Sequence, residues 1–159
     1  MRNLVGGLAM VCLLAACGGS NNDATTMDAD SAGMMAEAEP AMLTAEAING
    51  TWNGMSMEEV GDSVTFRWTN TRNADGTASF VYEGSSDTVS FATLLSGDSI
   101  VSTSEPYTPP GAPAGSPQIM VRTVGRLVDG KLVGTSTVML AASPDSVVAR
   151  GRWEATRAQ

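Results

Sequence analysis

Residues 48–159 read as an all-β domain, an antiparallel up-and-down barrel of about eight strands, on three grounds. Apolar and polar residues alternate with period 2 in one stretch after another. Clusters of Gly, Asn, Asp, Ser and Pro separate those stretches at short intervals. The chain holds 17 glycines and only 5% aromatic residues, a composition that favours short strands and tight turns over long helices.

The first strand, near 50–57, opens on Gly50-Thr51-Trp52. In the second, near 62–70, Val64, Phe66 and Trp68 share one face and Ser63, Thr65 and Arg67 the other, the pattern of a half-buried antiparallel strand. Asn73-Ala74-Asp75-Gly76 turns the chain into a third strand, near 77–83, that groups Ala78, Phe80 and Tyr82. Gly84-Ser85-Ser86-Asp87 leads to a fourth, near 87–94, where Val89 and Phe91 alternate with Ser90 and Ala92. Ser96-Gly97-Asp98 precedes the fifth, near 98–105. Asp129-Gly130 joins the sixth (117–128) to the seventh (131–141) and is the strongest hairpin signal in the chain. Ser143-Pro144-Asp145 precedes the eighth, near 146–156. All links are short except the one between strands five and six, so successive strands pair as hairpins. Closing eight of them into a barrel leaves no exposed edge. A β-sandwich is the alternative.

The region before the barrel has a different character. Met1-Arg2-Asn3 is followed by an apolar run from Leu4 to Ala16, 13 residues against the roughly 20 that a membrane-spanning helix needs. It ends in Leu14-Ala15-Ala16-Cys17. A charged start, a short apolar run and small residues before a cysteine resemble the signal peptide and lipobox of bacterial lipoproteins. The resemblance covers about the first 17 residues. It implies a signal peptide over 1–16, cleavage between Ala16 and Cys17, and lipid on Cys17. Several acyl chains anchor a protein stably where one binds only marginally. No aspartate follows Cys17, which in a Gram-negative source points to the outer membrane.

Residues 17–47 read as a disordered tether. From Gly18 to about Leu43 the chain is mostly Gly, Ser, Asn, Asp, Ala, Met and Glu, without an aromatic residue, too little apolar surface to offset the entropy of ordering. Ala, Met and Glu allow a weak helix near 32–47. Met27, Met34, Met35 and Met42 have no histidine or cysteine beside them with which to build a copper site.

Charge and residue usage exclude several functions. Residues 18–49 carry six acidic groups and no Lys or Arg, whereas residues 50–159 carry 11 acidic and 8 basic groups. Binding to nucleic acid through a strongly basic surface is therefore not expected. With Cys12 in the leader and Cys17 carrying lipid, the rest of the chain has no thiol, and the chain has no histidine at all. Serine or cysteine triads and the usual zinc sites are thus out of reach. Asp62, Asp75, Asp87, Asp98, Asp129 and Asp145 all fall at turns, where aspartate binds local backbone. The Asn73–Gly76 turn offers too few oxygens for calcium. No catalytic residue, metal ligand or cofactor is assigned.

Two segments are candidate contact sites. The long link, Glu105 to Pro117, holds Tyr107, Pro109 and Pro110 in a proline-stiffened stretch that would present Tyr107 to a partner. In a meander the links after strands one, three, five and seven share one end, so this loop belongs at the barrel's mouth, opposite the end where the tether joins. The second candidate is a basic stripe: Arg122 and Arg126 on strand six, Arg150 and Arg152 on strand eight, all outward if Val121, Leu127, Gly151 and Trp153 point inward. Such a stripe would meet lipid headgroups or a cell-wall polymer. The plain alternative is a solvated face partly paired with Glu154.

Gly50-Thr51-Trp52 in the first strand and Gly151-Arg152-Trp153 in the last resemble the lipocalin and avidin group of small barrels. That resemblance rests on these residues and the strand count. It implies that Trp52 plugs the base with Arg152 or Arg157 packed over it. Inward positions such as Gly134, Ser136 and Gly151 are small, so the barrel either holds a cavity suited to an apolar ligand or is pressed flat around its aromatic residues. The function these readings favour is a lipid-anchored, extracytoplasmic binding or structural protein of the bacterial envelope. Its partners would be the membrane through Cys17 and a small apolar molecule or an envelope protein or polymer. A carboxylate-based envelope hydrolase is the alternative.

Overall fold

A computed structural model describes residues 42–159. The leader, Ala16, Cys17 and most of the expected tether lie outside the described residues. The described chain forms a closed eight-stranded barrel in which every neighbour in sequence is a neighbour in the sheet. The strands are β1 (Gly50–Glu58), β2 (Val64–Arg72), β3 (Ala78–Tyr82), β4 (Thr88–Ser96), β5 (Ser99–Ser104), β6 (Ile119–Val128), β7 (Lys131–Leu140) and β8 (Ser143–Arg157). All pairs are antiparallel, and β1 closes on β8 from Trp52 opposite Arg157 to Glu58 opposite Gly151. The meander expected from the hairpin signals is the observed topology, and the sandwich is not.

Turn chemistry sets the registers. At Asp129-Gly130 both residues have positive φ, 49° and 76°, as a type I′ turn requires, and Val128 faces Lys131 directly across it. Asp75 accepts from the backbone N–H and the hydroxyl of Thr77 at 2.9 and 2.7 Å, which fixes the turn between β2 and β3. These bonds hold the Asp75 carboxyl below its ordinary value. The last hairpin differs from expectation. Ala141-Ala142 makes the turn, and Ser143-Pro144-Asp145 belongs to β8, opposite Leu140. The register slips there, so Pro144 sits in a bulged stretch where its missing N–H breaks no ladder.

The base is closed where the chain enters. Thr44 caps a one-turn helix, α1 (Ala45–Ile48). Trp52 is 1% exposed and donates its indole N–H to the Ile48 carbonyl at 2.9 Å. Arg157 lies 4.5 Å over the Trp52 ring. Its guanidinium donates to the Asn49 and Ala47 carbonyls at 2.6 and 2.8 Å, satisfying oxygens that a helix end leaves free. Of the two arginines considered for this position, Arg157 takes it. Ile48, Trp52, Ile100, Leu132, Trp153 and Ala155 form the core at this end.

Glycines let two tryptophans lie inside the wall. A Cβ on Gly54 would overlap the Trp68 ring, and a Cβ on Gly125 would overlap the Trp153 ring. Trp68 donates to Ser56 Oγ and Trp153 to the Thr135 carbonyl, both at 3.0 Å, so neither indole N–H is stranded. Outward positions on β2 are Thr65, Arg67, Thr69 and Thr71, opposite the inward Val64, Phe66 and Trp68.

Candidate functional site

The barrel is neither solid nor pressed flat. Above the core lies a cavity of about 570 Å³, within the roughly 300–1,000 Å³ range of small-molecule pockets. Its wall includes Phe66, Trp68, Phe80, Tyr82, Phe91 and Tyr107. It reaches the surface at the mouth, where Glu58, Glu59, Phe66, Val148 and Arg150 line it and are all exposed. The mouth is the end formed by the links after β1, β3, β5 and β7, as strand parity requires. Period 2 explains the wall: Phe66, Trp68, Phe80 and Phe91 are every-second residues on strands whose other face meets water.

The aromatic side is tightly arranged. Phe80 meets Tyr82 and Tyr107 edge-on, at 5.2 and 5.7 Å between ring centroids. The hydroxyls of Tyr82 and Tyr107 are 2.7 Å apart and share a hydrogen bond. Burial pushes both phenols above the ordinary tyrosine value, and for Tyr107 the neighbouring Tyr82 adds to this. Both are therefore neutral across the physiological range.

The cavity floor is polar. Arg72, at the base end of β2, is 7% exposed and Asn70 is 9% exposed. The Arg72 guanidinium donates to Thr93 Oγ1 and, at 3.3 Å, to Ser102 Oγ, and it lies 4.6 Å over the Phe91 ring. Arg72 Nε and Asn70 Oδ1 are buried without a hydrogen-bond partner. Desolvation pushes the Arg72 pKa down to about 10, which still leaves it cationic at neutral pH. The one ion pair among the described residues is Arg152–Asp62, so none of their carboxylates neutralises Arg72.

No family model, curated protein or solved structure matches this chain. The geometry of the barrel therefore carries the functional argument.

The residues picked out in the sequence fall into three groups. Tyr107 is at the mouth but turned inward and 9% exposed, not presented outward. It exchanges both backbone hydrogen bonds with Ile119, at 3.0 and 2.9 Å, which extends the β5–β6 pairing past Pro106 and seats the ring beside Phe80. Pro109 also lines the cavity, whereas Pro110 is exposed. Pro109 to Ala112 follows the type II pattern, with Pro110 second, Gly111 third at φ 78°, and a 3.2 Å closing bond.

The arginines separate. Arg122 and Arg150 both face Thr137 from opposite sides, so the register puts them in one row across β6, β7 and β8. Arg126 lies in a row with Val133 and Glu154, where an acid interrupts the stripe. Arg152 donates to the Gly61 carbonyl and to Asp62 Oδ1 at 3.1 Å, so its partner is Asp62 and not Glu154. Among the described residues no three acidic, histidine or cysteine side chains gather into a metal-binding group.

Arg72 and Asn70 were not picked out from the sequence, although a signal was there. Val64, Phe66 and Trp68 mark the inward face of β2, and the same period continued for two steps reaches Asn70 and Arg72.

Proposed function

We propose that this is a lipid-anchored, extracytoplasmic binding protein of the bacterial envelope that holds a small, largely apolar molecule inside its barrel and performs no chemistry on it. The observation that carries this reading is the open cavity of about 570 Å³ with aromatic walls above a filled base. A barrel serving only as a contact module has no need of that space. The anchor follows from Leu14-Ala15-Ala16-Cys17, and it assigns the membrane as one partner. The hydrolase reading is less favoured. Glu58 and Glu59 are the carboxylates at the cavity, and as chain neighbours on one edge of the rim they are poorly placed to flank a scissile bond.

The test is binding of N-phenyl-1-naphthylamine, a neutral probe whose fluorescence rises in apolar surroundings. The full-length chain, stripped of copurifying lipid, is expected to bind it saturably at about one per chain. Binding should fall when Val121→Trp narrows the cavity. Absence of saturable binding, or binding indifferent to that change, would refute the carrier reading.

A further inference from the structure

We propose that the molecule this barrel takes is a single-chain amphiphile with a monoanionic head, a fatty carboxylate in chemical class, and that Arg72 on the cavity floor receives the head. The inference rests on the carrier reading and deepens it. A cavity meant for a purely apolar guest gains nothing from a cation in its floor, because burying an unpaired charge costs free energy. Yet Arg72 is 7% exposed, lines the cavity, and has no acidic partner among the described residues.

The guanidinium keeps unused donors at the cavity floor. Of the five N–H groups of a guanidinium, Arg72 uses one on Thr93 and one on Ser102, and its buried Nε has no acceptor. A carboxylate is an acceptor that a planar guanidinium fork matches in bidentate geometry. Thr93 and Ser102, 3.2 Å apart, hold the guanidinium against Phe91, so it is oriented before any ligand arrives. Asn70 stands two residues away on the same face of β2, and its Oδ1 is also buried without a partner. Its amide can turn to offer an N–H to the second carboxylate oxygen. One buried cation calls for one negative charge. The aromatic wall between the floor and the mouth suits a hydrocarbon tail, and at the rim two carboxylates, Glu58 and Glu59, outnumber the single cation Arg150.

The experiment compares dodecanoate, dodecanol and dodecylamine at neutral pH, by displacement of N-phenyl-1-naphthylamine. It uses the full-length chain carrying Cys17→Ser, so that no acyl chain of its own competes. Dodecanoate should bind about 10- to 100-fold more tightly than dodecanol, the range expected of a charge-assisted hydrogen bond, and dodecylamine more weakly still. In Arg72→Met the acid should lose that advantage while dodecanol binds as before. In Arg72→Lys part of it should return. If acid, alcohol and amine bind equally to the unaltered cavity, the anionic head is wrong and the carrier reading stands. If the acid keeps its advantage in Arg72→Met, Arg72 is not the receptor. If the neutral probe itself does not bind, the carrier reading fails first. The comparison at the unaltered cavity decides the matter even if Arg72→Met does not fold.

Discussion

Arg72 costs the empty barrel stability. Desolvation holds its pKa at about 10 in the fold, below the ordinary arginine value of the open chain. The unfolded chain therefore binds more protons between those values, and this residue makes stability rise as pH climbs through that window. Below it the whole cost is present, on the order of 3 kcal/mol at 1.36 kcal/mol per pKa unit. Tyr82 and Tyr107 act with the opposite sign. Their pKa values are raised above 10, so the stability they contribute is full below that pH and drains as the unfolded chain ionises above it. Replacing Arg72 by Met keeps the volume and removes the buried charge, at the loss of the bonds to Thr93 and Ser102 and the contact with Phe91. We expect Arg72→Met to raise the unfolding free energy of the ligand-free protein at pH 7 by about 1–3 kcal/mol, measured by urea denaturation. A decrease would show that Arg72 holds the barrel together, and its orphaned Nε would then need another explanation.

The strands carry a second constraint, visible only across the sheet. Gly54 on β1 lies under the Trp68 ring of β2, because the register sets these two residues opposite each other. Gly54→Ala should push the indole off Ser56 and into the cavity. We expect a loss of about 1–3 kcal/mol from overpacking together with weaker binding of the neutral probe, read from a thermal melt and a titration of the same preparation. An alanine that leaves both unchanged would show that the wall relaxes freely. This pairing explains why some features were legible in the sequence and others were not. Strand positions follow from a local period, and Val64, Phe66 and Trp68 announce theirs. Asp129-Gly130 announces its turn because only certain residues tolerate the φ angles it demands. Tyr107 reads as part of an exposed proline loop because its pairing partner, Ile119, is twelve residues on. Pro144 reads as part of a turn before the last strand because the bulge that accommodates it depends on the neighbouring strand. The cavity is of the same kind: small residues at Gly134 and Gly151 fit both an empty barrel and a filled one, until the packing of Trp68 and Trp153 decides.

At the scale of the molecule, the barrel has two unlike ends. The base is sealed by α1, Trp52 and Arg157, and the chain enters there. The mouth opens at the other end, rimmed by Val60, Val64, Phe66, Val147 and Val148, all between 42% and 85% exposed. An amphiphile passes between water and a cavity more easily when the rim is apolar, since its tail is then sheltered along the way. On the proposed reading the anchor is joined to the sealed end, which leaves the mouth free to meet a membrane, a partner or solvent. Attachment should then depend on Cys17 alone, because the polar outer face seen on β2 and the acidic stretch over 18–49 offer lipid little to hold. In a bacterial host that processes lipoproteins, the full chain should sediment with membranes and carry acyl chains by mass spectrometry. Cys17→Ala should move it to the soluble fraction while dodecanoate binding is retained, since no cavity residue has been altered. A Cys17→Ala chain that still sediments would mean that another surface holds the membrane, and the exposed valines of the rim would be the first place to look.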